Sequence, residues 1–119
     1  MFIDSHCHLD HLNLNNDDLS TVIASAQAEG VDHILNVCID LEEFSTVLAT
    51  SNRFSTVFAS VGLHPGEQTA VEPTVEQLTT LANHPKVLAL GETGLDYYRN
   101  NNSKIIQQQR FLMLKVCGV

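Results

Sequence analysis

Apolar residues fall along the chain in four short runs, each closed by polar residues and each followed by a segment of helical period. The runs cover about Phe2 to His8, Asp32 to Ile39, Thr56 to Gly62 and Lys86 to Glu92. Near-continuous apolar strands of this kind belong to a parallel sheet covered on its faces. After the first run, Asn16 predicts a helix cap, with Asp17 and Asp18 favourable in the first turn. Leu19, Val22, Ile23 and Ala26 then form one face up to Gly30. Asp40 and Glu43 predict a capping box that opens a second helix, with Phe44, Val47 and Leu48 on one side. Thr74 and Gln77 predict the same device for a third, which carries Leu78, Leu81 and Ala82 and stops before Pro85. A last helix starts near Ser103.

Strands recurring roughly every 25 to 30 residues, each with its own helix, predict an α/β fold. Chemically able side chains gather at one end of these strands. His6 and His8 close the first, Asp40 follows the second, His64 follows the third and Glu92 closes the fourth. In parallel α/β folds the carboxyl edge is where active sites are built, most consistently in the (β/α) barrel of TIM type. A complete barrel takes ~250 residues. The 119 residues here supply four of eight βα units, a partial barrel forming one domain over residues 1–119.

Composition narrows the reading. The formal net charge of −8 argues against broad electrostatic binding to a phosphate backbone, although Arg99, Lys104, Arg110 and Lys115 concentrate near the C-terminus. Bound divalent ions would reverse the local field. Apolar stretches are far shorter than the ~20 residues that cross a bilayer, so no membrane partner is expected. The N-terminus carries no secretory signal pattern, and three cysteines without evident pairing suit a reducing compartment. A cytoplasmic location is the expectation.

His6 and His8 are the chemical starting point. Alternate side chains of an extended strand point the same way, so two neutral imidazoles can converge on one divalent cation. Chance alone gives about 0.3 His-x-His pairs in a chain with this many histidines, so the pair needs context. Histidine combined with a carboxylate such as Glu92 suits Zn or Mn and tolerates Mg. Cys7, between the two histidines, should point towards the helices and pack as a small apolar group.

Three segments supply the context: Phe2-Ile3-Asp4-Ser5-His6-Cys7-His8-Leu9, Val61-Gly62-Leu63-His64-Pro65 and Gly91-Glu92-Thr93-Gly94-Leu95-Asp96-Tyr97-Tyr98. In content, order and spacing they resemble the N-terminal half of the TatD family of metal-dependent hydrolases and deoxyribonucleases. The resemblance runs from Met1 to about Phe111, and Gly-Glu-Thr-Gly-Leu-Asp-Tyr is its most specific block. It implies a TIM barrel, a centre of two divalent metal ions (Mg, Mn or Zn), and hydrolysis of phosphodiester bonds in DNA, often from an end. It implies metal ligation by His6 and His8, with Glu92 bridging or ligating as the catalytic carboxylate. The family draws its other ligands, two histidines and an aspartate, from strands of the second half. Asp10, His11 and Asp40 match none of its ligand positions, and Asp40 is better read as a helix cap.

Other positions keep two readings. His64, in its Gly-x-His-Pro loop, either contacts substrate phosphate or shapes the turn, and the first is preferred. Arg99 either meets phosphate or is a solvated loop residue. Asp4 either orients a ligand imidazole or is a satisfied buried polar residue, and Asp96 either serves the site or caps its loop. His33 and His84 read as structural or surface residues.

A half-barrel would leave two open sheet edges and an uncovered inner face, surfaces through which chains self-associate. The run Leu112 to Val119 departs from the amphipathic pattern of the family's helix, and the chain reads as one cut before a fifth strand. Three classes of function follow: the metal-dependent hydrolase, a non-catalytic metal-binding half-barrel or interaction module, and a flavodoxin-like open sheet binding Mg. The last expects an acidic cluster after the first strand, where this chain has His-x-His.

Overall fold

The computed structural model describes residues 1–99 and 101–117. Four strands, β1 (Phe2–Cys7), β2 (Val31–Asn36), β3 (Val57–Val61) and β4 (Val87–Leu90), form one parallel sheet in the order β1-β2-β3-β4. Helices α1 (Asn16–Ala28), α2 (Phe44–Arg53) and α3 (Val75–Ala82) connect them, and α4 (Lys104–Cys117) follows β4. Sequential strand order is singly wound, the order of a barrel. A flavodoxin-like sheet would interleave its strands as 2-1-3-4-5, so that third reading is set aside.

The core lies between the sheet and the helices. Val57, Ala59 and Val61 of β3 are wholly buried on this side. Around them pack Phe44 and Val47 of α2, Leu78 of α3 and Leu114 of α4, while Leu19 and Ile23 of α1 close over Ile34 and Val57. The opposite face is uncovered among the described residues. Ile3 and Leu88 are 61% and 65% exposed, the open inner face expected of a half-barrel.

Several boundaries differ from the sequence expectation. Strands two to four end earlier than expected because residues 37–39, Gly62 and residues 91–92 leave the ladder and turn into the loops that carry the site. Asn15, one residue before the expected position, caps α1, its side chain accepting from the N–H groups of Asp17 and Asp18. Asp40 does not cap α2. Its carboxylate accepts from Glu42 N and its carbonyl from Glu43 N, closing a turn from which the helix starts at Phe44. Thr74 and Gln77 form the expected capping box on α3. A 3₁₀ turn over Leu9–Leu12 adds to the expected elements. In the C-terminal run Leu114 enters the core, whereas Gly118 and Val119 lie outside the described residues.

Candidate metal centre

Backbone bonds beyond the strand ends draw the site together. Val37 N donates to Cys7 O at 2.8 Å, His64 N to Ile39 O at 2.8 Å, Gly91 N to Val61 O at 2.9 Å and Glu92 N to Cys38 O at 2.7 Å. Beneath them the buried Ser60 hydroxyl donates to Gly91 O at 2.6 Å and accepts from Cys38 N at 3.0 Å. Gly62 permits this approach, since a Cβ there would stand 2.6 Å from the Gly91 carbonyl carbon.

On this frame His6 Nε2 and His8 Nε2 stand 3.3 Å apart. Glu92 Oε2 lies 3.2 Å from the first and 3.5 Å from the second. Donor atoms ~2.1 Å from a tetrahedral ion are about 3.4 Å from one another, so this triangle has the dimensions of one face of a coordination polyhedron. Among the described residues, this is the one group of three or more His, Cys, Asp or Glu side chains whose donor atoms all lie within 4.8 Å. The donor set fits a divalent cation. His6 is half exposed, which leaves the centre open on one side.

Hydrogen bonds decide which nitrogen each imidazole offers. His8 Nδ1 is 2.9 Å from the Val37 carbonyl, which can only accept. Its proton therefore sits on Nδ1, and Nε2 presents a lone pair. His64 is the reverse. Its Nδ1 accepts from Gly66 N at 2.9 Å, so the neutral ring carries its proton on Nε2, 3.5 Å from Glu92 Oε1. His8 thus presents a lone pair at Nε2, and His64 a proton.

The neighbours are structural. Asn36, wholly buried, accepts from Leu9 N and donates to Asp10, which also accepts from Thr50, fixing the turn after His8. His11 stacks on His8 with centroids 5.1 Å apart and reaches Glu43 at 3.4 Å. Cys7 packs among the α1-side core residues as expected. Burial, with Asp4 and Asp10 nearby, pushes its thiol up to about 11; burial likewise takes Cys38 to about 11. Neither is a thiolate near neutral pH.

Asp4 lies on neither expected path. A register shift between Asp4 and Cys7 breaks the alternation of β1, and the exposed carboxylate accepts from the His6 backbone N–H at 3.1 Å. Asp96 caps its own loop, accepting from the N–H groups of Tyr98 and Arg99. The Arg99 N–H, with its side chain adding to the effect, holds that carboxyl below its ordinary range. Arg99 is exposed and turned onto Asp96 at 2.9 Å. His33 is exposed against Phe58, and His84 accepts from Lys86 N.

Sequence reasoning passed over four buried polar residues that hold this arrangement: Asn36, Ser60, Gln107 and Arg110. A polar residue inside an apolar run was the available signal for the first two.

A family model described as TatD related DNase matches residues 3–115. An uncharacterized metal-dependent hydrolase of Buchnera aphidicola is 40% identical over 111 residues, 92% of this chain and 42% of its own length. The crystal structure of the TatD homolog YjjV from Escherichia coli superposes with a TM-score of 0.81 at 32% identity, covering 98% of this chain and 46% of that one. A protein of Cronobacter turicensis named 3′-5′ ssDNA/RNA exonuclease TatD is 35% identical over 95 residues, 79% of this chain and 36% of its own length. The chain thus spans less than half the length of each of these relatives.

Proposed function

This chain belongs to the TatD-related DNase family, and on that premise we propose that it supplies the first metal-binding half of a hydrolase cleaving phosphodiester bonds in DNA, from an end. The observation that carries the proposal is the triangle of His6 Nε2, His8 Nε2 and Glu92 Oε2 with edges of 3.2 to 3.5 Å. Those three side chains would hold a divalent ion, Mg, Mn or Zn. A complete site would hold two, with Glu92 among the residues that hold them. When bound, such ions make water nucleophilic at neutral pH and neutralise charge on the phosphate and leaving oxygen.

The chain's own residues have distinct tasks. Glu92 turns one oxygen to the histidine pair and the other to His64, so its carboxylate serves the metals and orients a neighbour. His64 offers its Nε2 proton to a phosphate oxygen. Arg99, released from Asp96, would clamp a phosphate with its guanidinium fork. The test is a 5′-labelled single-stranded oligonucleotide incubated with chain and Mn, Mg or Zn in turn. A ladder shortening from the 3′ end is expected, abolished by Glu92→Ala and by His6→Ala. Hydrolysis surviving both changes would overturn the assignment.

A second reading rests on the exposed inner face, where Ile3 and Leu88 stand open and β1 and β4 form the edges. Here the chain is a metal-binding module that self-associates through its sheet edges and hydrolyses nothing. Metal binding with no nucleotide release at any chain concentration would favour it. No helix among the described residues is long and apolar enough to cross a membrane.

A further inference from the structure

We propose that Arg110, paired with Glu72, is a positioning residue for His64. Arg110 lies on α4, only 3% exposed. Its Nε and Nη2 donate to the two oxygens of Glu72 at 2.7 and 2.6 Å, a bidentate pair. Its Nη1 donates to the backbone carbonyls of Glu67 at 2.7 Å and His64 at 3.2 Å. A buried guanidinium is expensive to desolvate and is kept only when its donors are satisfied. Here all of these contacts fall on the one loop that begins at His64.

The contacts converge on a single consequence. Four successive carbonyls of that loop accept side-chain donors: His64 O from Arg110, Pro65 O from Asn102, Gly66 O from Asn101, and Glu67 O from both Arg110 and Asn102. With these carbonyls tied down, the intervening N–H of Gly66 is directed at His64 Nδ1, 2.9 Å away. A Cβ at Gly66 would come within 3.1 Å of that nitrogen, so the approach is close. Fixing Nδ1 as acceptor places the proton on Nε2, towards Glu92. Arg110 thereby acts through the loop on the tautomer of His64 and touches no reacting atom.

On the same helix Gln107, 1% exposed, binds Asp96 N through its carbonyl and the carbonyls of Asp96 and Asn102 through its amide. α4 therefore holds the loop after Glu92 as well as the loop after His64. The neighbouring Gln107 clamp involves no guanidinium and no contact to His64. It provides an internal comparison.

The inference rests on the proposed role of His64 towards phosphate, and its primary test does not. Long-range proton–nitrogen correlation spectra of the metal-free chain report the tautomer of each imidazole. The native chain should show His64 protonated at Nε2 and His8 at Nδ1. In Arg110→Met, which keeps the apolar stem, His64 should become a mixture of tautomers while His8 is unchanged. Glu72→Gln, milder because Glu72 is nearly half exposed, should move His64 in the same direction and covers the case in which Arg110→Met fails to fold. An unaltered His64 tautomer in a folded variant overturns the proposal. Turnover then tests the reading beneath it: Arg110→Met should lower kcat on the order of tenfold, with no further loss in a His64→Ala background. A changed tautomer with unchanged turnover would leave the positioning role standing and remove His64 from the reaction.

Discussion

His64 Nε2 stands 3.5 Å from Glu92 Oε1 and faces it with a proton, because Gly66 N occupies the other ring nitrogen as a donor. The same carboxylate meets His8 through a nitrogen that carries none, because Val37 O occupies its Nδ1. Two histidines at almost equal distance from one carboxylate are therefore chemically different, and the difference is written in their backbone partners.

That difference predicts a split in metal affinity. His6→Ala and His8→Ala each remove a donor atom from the triangle and Glu92→Gln removes its negative charge, and each should weaken Mn or Zn binding by at least about tenfold. His64→Ala removes no ligand, only a neighbour 3.5 Å from Glu92 Oε1, so affinity should fall less than in the ligand variants. Calorimetric titration of the four variants checks this. A His64→Ala loss as large as that of His8→Ala would mean that the ring turns over to ligate.

The buried Ser60 hydroxyl gives a second prediction. Replacing it by Ala leaves the Gly91 carbonyl and the Cys38 N–H without a partner in the interior. Destabilisation of about 2 kcal/mol is expected, in the range for a stranded buried polar group. Since Gly91 precedes Glu92, metal affinity should fall with it. Urea unfolding and a Mn titration of Ser60→Ala read both effects, and a stability change below ~0.5 kcal/mol would contradict the role.

The contrast between what was legible and what was not follows from the type of partner involved. Thr74 and Gln77 announce their capping box because both members of the pair are side chains with a fixed spacing. His6, His8 and Glu92 are legible because strand ends converge and metal donors are a small set of residue types. Asp40 misled because an aspartate can close a turn or cap a helix from the same spacing, and only the backbone decides. The partners of Asn36, Ser60, Gln107 and Arg110 were hidden for a related reason. These side chains bind Leu9 N, Gly91 O, Asp96 N and His64 O, backbone groups that every position possesses. The register shift in β1 that displaces Asp4 likewise leaves no trace in alternation.

Stability should fall as pH rises from about 9 to about 11. Cys7 and Cys38 are raised from 9.0 to about 11 in the fold, chiefly by burial. The unfolded chain then releases its thiol protons first, so it binds fewer protons than the native state across this window. The slope of unfolding free energy against pH is consequently negative there, and the contribution is complete below pH 9. Thermal melts at pH 8, 9.5 and 10.5 should show a declining midpoint, with a shallower decline in Cys38→Ala. An identical slope in that variant would remove Cys38 as a source.

Gly62 and Gly91 should respond very differently to a single methyl. A Cβ on Gly62 would lie 2.6 to 2.8 Å from the backbone of Gly91, whereas one on Gly91 would find nothing nearer than Thr93 N at 3.6 Å. The first contact is with main chain that is itself tied to Val61 O and to the Ser60 hydroxyl, so it yields only by giving up those bonds. Gly62→Ala should push the segment carrying Glu92 away from His6 and His8, and overpacking of this kind costs about 1–3 kcal/mol. Metal affinity should drop together with stability. Gly91→Ala should retain most of both. Parallel urea unfolding and Mn titration of the two variants decide the matter: equal behaviour would mean that the close approach of β3 to Gly91 does not hold Glu92 in place.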